Sequence, residues 1–404
     1  MNHTTEKISA EDSEQYRTVV LLGESNVGKS TIAGRLISYS LSVRKQLCVS
    51  EPGQDESLSN EGEHSMYREM CDVVQSEREN KSSEMTCYRS LEDSSGETEI
   101  VVCPGRRKFW KWLDYGCADA DFALVVVRVK EESGDLQISE LIEPVGHCLS
   151  MGVRLAGIVV NDCDSLGKEK ISACRVAVED DLRRFFTEIP PIHVFSPKQE
   201  CTTHLLSCVM SLPVPQRNAD SAFELSINSI FDRGDSVILG GKVRKGQIRI
   251  GDVVYLMPGR LKLRIASIQI SKGRGVDVAS AGRVVAVRVE GVSKNQVSTG
   301  MALVGDISIG KETRLLRAKM SFFNAKHAIR IGFSPVVSIL ACQAHAKITE
   351  IDGGASISLG ETVNVTVALA KTVFAQTSGS FSRIVFRQAN CVIAVGVISE
   401  ILHS

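Results

Sequence analysis

The chain has 404 residues, of which 43% are hydrophobic and 24% are charged, and its formal net charge is −1. These values are those of an ordinary soluble globular protein, and the length predicts two to four domains. No apolar run reaches the roughly 18 residues that a membrane-spanning helix needs, so we expect no membrane partner.

The N-terminal segment, residues 1–16, is polar and acidic, which predicts a disordered arm rather than a secretory signal or a transit peptide. The chain has 12 cysteines without a C-x-x-C pair. This weighs against a zinc site or a redox motif and favours reduced thiols in a cytoplasmic protein. No two of the eight histidines have the i, i+4 spacing of paired metal ligands.

The first predicted strand, residues 18–22, runs into a G-x-x-x-x-G-K-[ST] sequence, the pattern of a phosphate-binding loop. Apolar side chains then recur at helical spacing as far as Leu41. Main-chain N–H groups and the helix N-terminus bind phosphate together in this context. We predict that Lys29 pairs with the β- and γ-phosphates and that the Ser30 hydroxyl binds Mg²⁺. The predicted nucleotide-binding residues of the loop are Gly23, Ser25, Asn26, Val27, Gly28, Lys29, Ser30 and Thr31.

Apolar runs alternate with helical patterns from residue 17 to residue 200, which predicts a doubly wound, mostly parallel sheet. Such a sheet binds its ligand at the carboxyl ends of its strands. The segment 50–97 is polar and is typical of an insertion between the first two strands. The predicted strands are 18–22, 98–103, 122–129, 155–160 and 192–196. The predicted helices are 29–41, 107–118, 136–151 and 167–186.

The fourth predicted strand closes with an N-x-x-D pattern, Asn161 to Asp164. In that position the Asn161 side chain can hold the base and the loop, and the Asp164 carboxylate can accept hydrogen bonds from guanine N1–H and N2–H. Adenine has no such pair of donors, so this pattern favours guanine. Ser196 follows the next strand and either lies in the loop that supports the guanine O6 atom or belongs to a plain turn.

The second half of the chain has a different pattern. Residues 201–222 contain Pro213 and Pro215 and are predicted to be an interdomain linker. Short alternating strands punctuated by glycine follow, which predicts β-barrels or sandwiches. A boundary within 306–318 divides them into two β domains, residues 223–308 and 309–404.

The small net charge conceals two oppositely charged halves. Residues 1–222 carry 24 basic and 36 acidic side chains, whereas residues 223–404 carry 23 and 12. The basic half can face a polyanion, or the two halves can attract each other. The sequence leaves both interpretations open.

The phosphate loop, Cys103-Pro104-Gly105, the Asn161-x-x-Asp164 pattern and the two β domains together resemble the translational GTPases. The specific resemblance is to the elongation factor one alpha branch, which includes eukaryotic release factor three and the rescue GTPase that partners Pelota. It implies an α/β P-loop GTPase domain followed by two antiparallel β-barrel domains. It also implies GTP or GDP with Mg²⁺ as cofactors, and the ribosome and its RNA as partners. The implied cargo is a release-factor-like protein or an aminoacyl-tRNA, carried by an otherwise monomeric protein.

The chain differs from the family at the switch motifs. In the family's Asp-x-Pro-Gly-His motif, Val102 replaces the Asp that holds Mg²⁺ through water, and Arg106 replaces the His that positions the attacking water. Gly105 is retained. The Thr of the first switch aligns with Ser83, which implies a second Mg²⁺ hydroxyl ligand. The family's base-packing Lys is Asp162, and its usual His-x-Asp in the phosphate loop is Glu24-Ser25-Asn26.

These departures leave two functional classes open. Phosphoryl transfer depends on positioning and charge stabilisation, so losing the carboxylate and the imidazole slows hydrolysis and weakens the Mg²⁺ site. Arg106 can instead stabilise charge in cis, as arginine fingers do. The first class is a working or slow GTPase that brings a cargo to the ribosome, and the second is a pseudo-GTPase adaptor that binds ribosome and partner.

Overall fold

The computed structural model describes residues 16–48, 70–71, 83–93, 96–132, 135–163, 166–183, 186–196, 198–232, 236–270, 273–324, 328–389 and 391–402. The predicted disordered arm, apart from Tyr16, lies outside these residues, as do Asp164 and most of the polar insertion. The described chain divides into two compact units. The first is formed by Gln15–Leu149 and Val153–Pro215, and the second contains Gln216–Ser404.

The first unit alternates strands and helices over its described residues. Its strands are β1 (Tyr16–Leu22), β2 (Cys87–Asp93), β3 (Gly96–Val102), β4 (Phe122–Glu132), β5 (Asp135–Ile138), β6 (Arg154–Asn161) and β7 (Ile192–Val194). Its helices are α1 (Lys29–Cys48), α2 (Trp110–Asp119), α3 (Ile142–Ser150), α4 (Lys168–Leu182) and α5 (Gln199–Met210). Among the described residues, no helix combines the length and apolarity needed to span a membrane.

The strands of the first unit form one sheet in the order β2-β3-β1-β4-β6-β7, with β5 paired to β4. The strands from β3 to β7 along this order are parallel, whereas β2 runs antiparallel to β3. Central strand β1 is buried over its whole length, as expected for a parallel sheet with helices on both faces. Strand β1 lies between β3 and β4, at the point where the order of the strands in the sheet changes direction. A ligand-binding crevice is expected at the carboxyl end of such a strand.

Helix α5 occupies the first part of the segment that the sequence analysis assigns to a linker. Pro213 and Pro215 do follow the helix, but Leu205 and Val209 within it are each 1% exposed and belong to the core of the first unit. Their spacing of four places them on one face of the helix. The two prolines that follow the helix suggested a linker over the whole segment, although they lie outside this short amphipathic helix.

The second unit begins with a closed six-stranded barrel. Its order is β11-β16-β8-β9-β15-β12, and β12 pairs back to β11. A short strand, β13, extends β12, and β10 pairs separately with β14. The strands are β8 (Glu224–Asp232), β9 (Val237–Lys245), β10 (Gln247–Arg249), β11 (Val253–Met257), β12 (Leu261–Gln269), β13 (Gly275–Val276), β14 (Val278–Ser280), β15 (Val284–Glu290) and β16 (Ala302–Val304).

A second closed barrel follows, in the order β17-β22-β20-β19-β23-β24, with β24 pairing back to β17. Every strand pair in both barrels is antiparallel, which confirms the predicted fold class of an α/β P-loop domain followed by two antiparallel β-barrels. The strands are β17 (Lys311–Phe322), β18 (Ile329–Arg330), β19 (Val336–Ile339), β20 (Cys342–Ile351), β21 (Ser356–Ile357), β22 (Thr362–Ala375), β23 (Arg383–Gln388) and β24 (Cys391–Leu402).

A buried polar contact joins the two barrels. Gln376 is 3% exposed, and its Nε2 atom donates hydrogen bonds to Glu224 Oε1 (2.9 Å) and to the Ile309 carbonyl (3.0 Å). Its Oε1 atom accepts from the main-chain N–H of Phe381 (3.2 Å). The Glu224 carboxylate also lies 3.3 Å from Lys245 Nζ. A single amide thus pairs polar groups from both barrels that would otherwise be buried without this partner.

We expect Gln376→Ala to lower the midpoint of thermal unfolding by several degrees. Truncation removes a donor from the buried Glu224 carboxylate and the acceptor of the Phe381 N–H, and each such loss costs about 1–3 kcal/mol. One kcal/mol corresponds to about 2–4 °C in a unit of this size. The matched control is Gln269→Ala, an exposed glutamine on β12. Equal midpoints for the two variants in scanning calorimetry would show that the contact does not stabilise the barrels.

Candidate nucleotide-binding site

The phosphate loop is a tight main-chain turn between β1 and α1. Gly23, Asn26 and Gly28 all have positive φ angles, of 134°, 62° and 101°. A Cβ atom on Gly23 would lie 2.2 Å from the Val126 carbonyl oxygen of β4, so only glycine allows the loop to pass this close to the sheet. A turn of this kind at the start of a 20-residue helix concentrates N–H donors and the positive helix end on one point, which suits a phosphate.

Lys29 lies inside this loop. It is 6% exposed, and its ammonium group donates to the carbonyl oxygens of Gly23 (2.9 Å) and Glu24 (2.5 Å). Burial lowers the pKa of Lys29 to about 8, against the attraction of nearby groups that favour the charged form. A desolvated cation of this kind gains an opposite charge when a phosphate enters the loop. The loop and Lys29 therefore fit the phosphates of a nucleotide.

The two predicted Mg²⁺ ligands, Ser30 and Ser83, lie side by side. Their Oγ atoms are 3.1 Å apart, although 53 residues separate them in the chain. Two hydroxyl oxygens at this spacing suit one Mg²⁺ ion, which prefers hard oxygen ligands and retains several of its waters. The alignment of Ser83 with the family's threonine therefore has a geometric counterpart at the start of α1.

The carboxylate that the family uses beside this position is absent from the matching residues. Val102 ends β3 opposite Leu21 of β1, is 1% exposed and offers no oxygen in its side chain. The next residue, Cys103, is fully buried, and its burial raises the pKa of the thiol to about 12. Both side chains are therefore uncharged at neutral pH, so neither replaces the lost negative charge.

Gly105 packs directly on the phosphate loop. A Cβ atom here would lie 2.3 Å from the carbonyl carbon of Glu24 and 2.5 Å from the main-chain N of Ser25. Arg106 follows, is exposed, and lines a cavity of about 50 Å³ together with Gly23 and Glu24. The two residues predicted to act in hydrolysis thus lie beside the phosphate loop.

The Asn161 side chain contacts the part of the phosphate loop that precedes α1. Its Nδ2 atom donates to the Val27 carbonyl (2.9 Å) across 134 residues, and the side chain is 9% exposed. A Cβ atom on Gly28 would lie only 2.3 Å from this amide nitrogen. The predicted contact between Asn161 and the loop is therefore present, and it also restricts Gly28 to glycine.

A second cavity of about 170 Å³ opens beside Asn161, where the base and ribose of a bound nucleotide are expected. Arg128, at the carboxyl end of the β4 segment that pairs with β6, forms an ion pair with Asp162, and its Nη1 atom lies 3.5 Å from the Asn26 carbonyl. The cavity is lined by Asn26, Gly28, Thr31, Ile32, Arg35, Arg128, Asn161, Asp162 and Phe195.

The other two predicted base-binding residues are Asp164 and Ser196. Asp164 lies outside the described residues. Ser196 does not line the cavity; its Oγ atom accepts from the Lys198 N–H (3.4 Å), which is the bond of a turn, and its neighbour Phe195 lines the cavity instead. The remaining loop residue, Ser25, is half-buried against Gly105.

Two residues of this cavity, Arg128 and Phe195, were not predicted from the sequence. Arg128 lies inside a predicted strand and belongs to no motif, and Phe195 is one of many apolar residues at strand ends. The substitution of Asp162 for the family's lysine was the only available signal. A carboxylate facing the base site calls for a cation, and Arg128 provides one from the neighbouring strand.

The fold and this site define a P-loop nucleotide-binding protein. Residues 14–318 match the family model described as the elongation factor Tu GTP binding domain, so the chain belongs to this family of translational GTPases. Its members bind GTP and GDP with Mg²⁺.

The chain is 22% identical to the eukaryotic peptide chain release factor GTP-binding subunit of Kluyveromyces lactis, over 84% of this chain and 51% of that protein. It is 21% identical to elongation factor 1-alpha of Pyrococcus furiosus, over 82% of each. The chain therefore spans about half the length of the release-factor subunit and most of the elongation factor.

Two solved structures show the same fold at 16% identity. Translation elongation factor SelB from Methanococcus maripaludis, in complex with the GTP analogue GppNHp, has a TM-score of 0.71 and is matched over 99% of this chain and 81% of that one. The S. cerevisiae Ski7 GTPase-like domain, bound to GTP, has a TM-score of 0.74 and is matched over 97% and 99%.

We expect Gly105→Ala to weaken GDP and GTP binding by at least about tenfold, because the new Cβ displaces the phosphate loop at Glu24. Titration with a fluorescent guanine nucleotide measures the change. Gly167→Ala is the matched control, since Gly167 precedes α4 with φ −68° and no atom lies within 4 Å of its Cβ position. Equal affinities for the two variants would disprove the contact's importance.

We expect Arg128→Ala to weaken guanine-nucleotide binding by about three- to tenfold. The change removes a planar guanidinium from the cavity wall and leaves Asp162 without this partner next to the nucleotide. Arg154→Ala, an exposed arginine at the opposite end of β6, serves as the control. An unchanged dissociation constant for Arg128→Ala would place Arg128 outside the binding site.

Proposed function

We propose that this protein is a GTP-binding translation factor that acts on the ribosome in elongation, termination or rescue. The observation that carries the proposal is the phosphate loop, with Lys29 buried inside it and Asn161 bonded to its far end, in a chain of the elongation factor Tu family. The SelB and Ski7 structures, which are complexes with a GTP analogue and with GTP, support the same ligand.

Each described site residue has a proposed role in binding. The loop from Gly23 to Thr31 surrounds the phosphates, with Lys29 as the cation. Ser30 and Ser83 hold Mg²⁺ with fewer charged ligands than the family normally supplies, so this metal site is weak. Asn161 orients the loop and the base, and Arg128 covers the base cavity. Guanine selectivity is assigned to Asp164 from the N-x-x-D pattern.

The partners follow from charge and from the relatives. Residues 223–404, which contain both barrels, carry 23 basic and 12 acidic side chains, which favours contact with ribosomal RNA. The matched relatives are a release-factor subunit and an elongation factor. We therefore propose a release-factor-like protein or an aminoacyl-tRNA as the cargo.

A second candidate is a pseudo-GTPase adaptor, which binds ribosome and partner without efficient hydrolysis. Val102 favours it, because a buried valine at the end of β3 replaces the carboxylate that retains Mg²⁺. Arg106 favours it as well, because a guanidinium cannot accept the hydrogen bond that positions a water for attack. Removal of one transition-state-stabilising group typically costs about 10²- to 10³-fold in rate. In the first candidate, Arg106 instead stabilises the charge of the transition state in cis.

GTP binding and multiple-turnover hydrolysis, each with and without ribosomes, test the two candidates. We expect binding of both GTP and GDP, weakened at least about tenfold in Lys29→Ala, and little turnover on ribosomes. Ribosome-stimulated turnover well above background would rule out the adaptor. Failure to bind either nucleotide would rule out the first candidate.

The paired substitution Val102→Asp and Arg106→His restores the family motif. We expect it to raise turnover at least about tenfold and to make GTP affinity more dependent on Mg²⁺. Lys111→His, a substitution of another exposed cation near the same turn, is the control. If the paired variant hydrolyses GTP no faster than the wild-type chain, the changed switch residues are not what limits the rate.

A further inference from the structure

Three side chains of types that commonly bind metals lie close together in the first unit. His193 lies on β7, and His204 and Cys208 lie on α5. One ligand atom from each lies within 4.8 Å of the others, and Cys208 Sγ is 3.7 Å from His204 Nε2. The rings of the two histidines are 5.8 Å apart between centroids.

The fold holds these side chains on rigid elements. His204 and Cys208 are four residues apart and so share one face of α5. The adjoining face is anchored by Leu205 and Val209, which are buried in the core. The His193 ring lies against the main chain of β6, since a Cβ on Gly157 would be 3.0 Å from its Nε2 atom. Sites on helices and strands hold their geometry better than sites on loops.

The donor set and spacing match one metal in particular. Imidazole nitrogen and thiolate sulfur are the ligands of Zn²⁺, at about 2.0–2.1 Å and 2.3 Å in a tetrahedron, which separates N and S by about 3.6 Å. The observed 3.7 Å between His204 and Cys208 agrees with this edge.

We propose that His193, His204 and Cys208 form a Zn²⁺-binding site. The three side chains leave the fourth tetrahedral position to water or a small ligand. A surface depression of about 750 Å³, lined by Lys198, Glu200, Thr203 and His204, lies beside one of the three ligands. Three protein ligands with an open fourth position are typical of zinc sites that bind an exogenous ligand rather than purely structural ones.

A metal ion at this site would connect the two ends of the loop between β7 and α5. His193 precedes this loop and His204 follows it, and Phe195 within it lines the nucleotide cavity. A metal that joins β7 to α5 therefore restrains the segment that carries Phe195. Zinc binding stabilises the first unit by mass action.

Titration of the metal-free full chain with Co²⁺ tests the site directly. We expect one equivalent to bind with the visible absorption of tetrahedral cobalt and a sulfur-to-metal charge-transfer band, both displaced by one equivalent of Zn²⁺. Zn²⁺ should also raise the midpoint of thermal unfolding. His204→Ala and Cys208→Ser should each weaken Zn²⁺ binding by at least about tenfold and abolish the shift in midpoint.

Cys201→Ser, on the same helix, and His345→Ala, an exposed histidine of the second barrel, are the matched controls and should leave Zn²⁺ binding unchanged. Unaltered midpoints of the metal-free variants show that each is folded. The proposal is wrong if no equivalent of Co²⁺ or Zn²⁺ binds, or if His204→Ala and Cys208→Ser bind Zn²⁺ as the wild type does.

Discussion

Close packing of neighbouring residues against the main chain of the phosphate loop is the constraint on which the site depends. Gly23 touches the Val126 carbonyl, Gly105 touches the Glu24 peptide, and Asn161 both bonds to the Val27 carbonyl and abuts Gly28. Residues at or just after the ends of β3, β4 and β6 thus contact the short loop that follows β1. Because no Cβ atom fits at Gly23, Gly28 or Gly105, the loop keeps its curvature and Lys29 stays buried inside it.

The site retains more of the groups proposed for nucleotide binding than of the groups proposed for hydrolysis. The groups proposed to contact a nucleotide before reaction lie close together: these are the loop, Lys29, the Ser30 and Ser83 hydroxyls and Asn161. The parts that act on the developing transition state are changed, because Val102 and the neutral Cys103 supply no charge. Binding and catalysis use different interactions, so a protein can lose one set and retain the other.

Compensation across neighbouring strands explains how the base cavity tolerates Asp162. The carboxylate faces the cavity where the family places a cation, and Arg128 of the adjacent strand β4 pairs with it. At 38% and 40% side-chain exposure this ion pair adds little to stability. Its effect is local, because it cancels a negative charge that would repel an anionic ligand.

The sequence alone determined the features that come from short-range pattern. These are the phosphate loop, the alternation of strands and helices, the short strands of the two barrels and the changed switch residues. The tertiary structure decided which distant residues meet: Ser83 with Ser30, Arg128 with Asp162, and His193 with His204 and Cys208. It also revealed α5, whose apolar face has meaning only against a core that already exists. A local sequence pattern shows whether a segment has the periodicity of a helix or of a strand. Contacts between elements depend instead on strand order and register, which cannot be read from residue spacing along the chain.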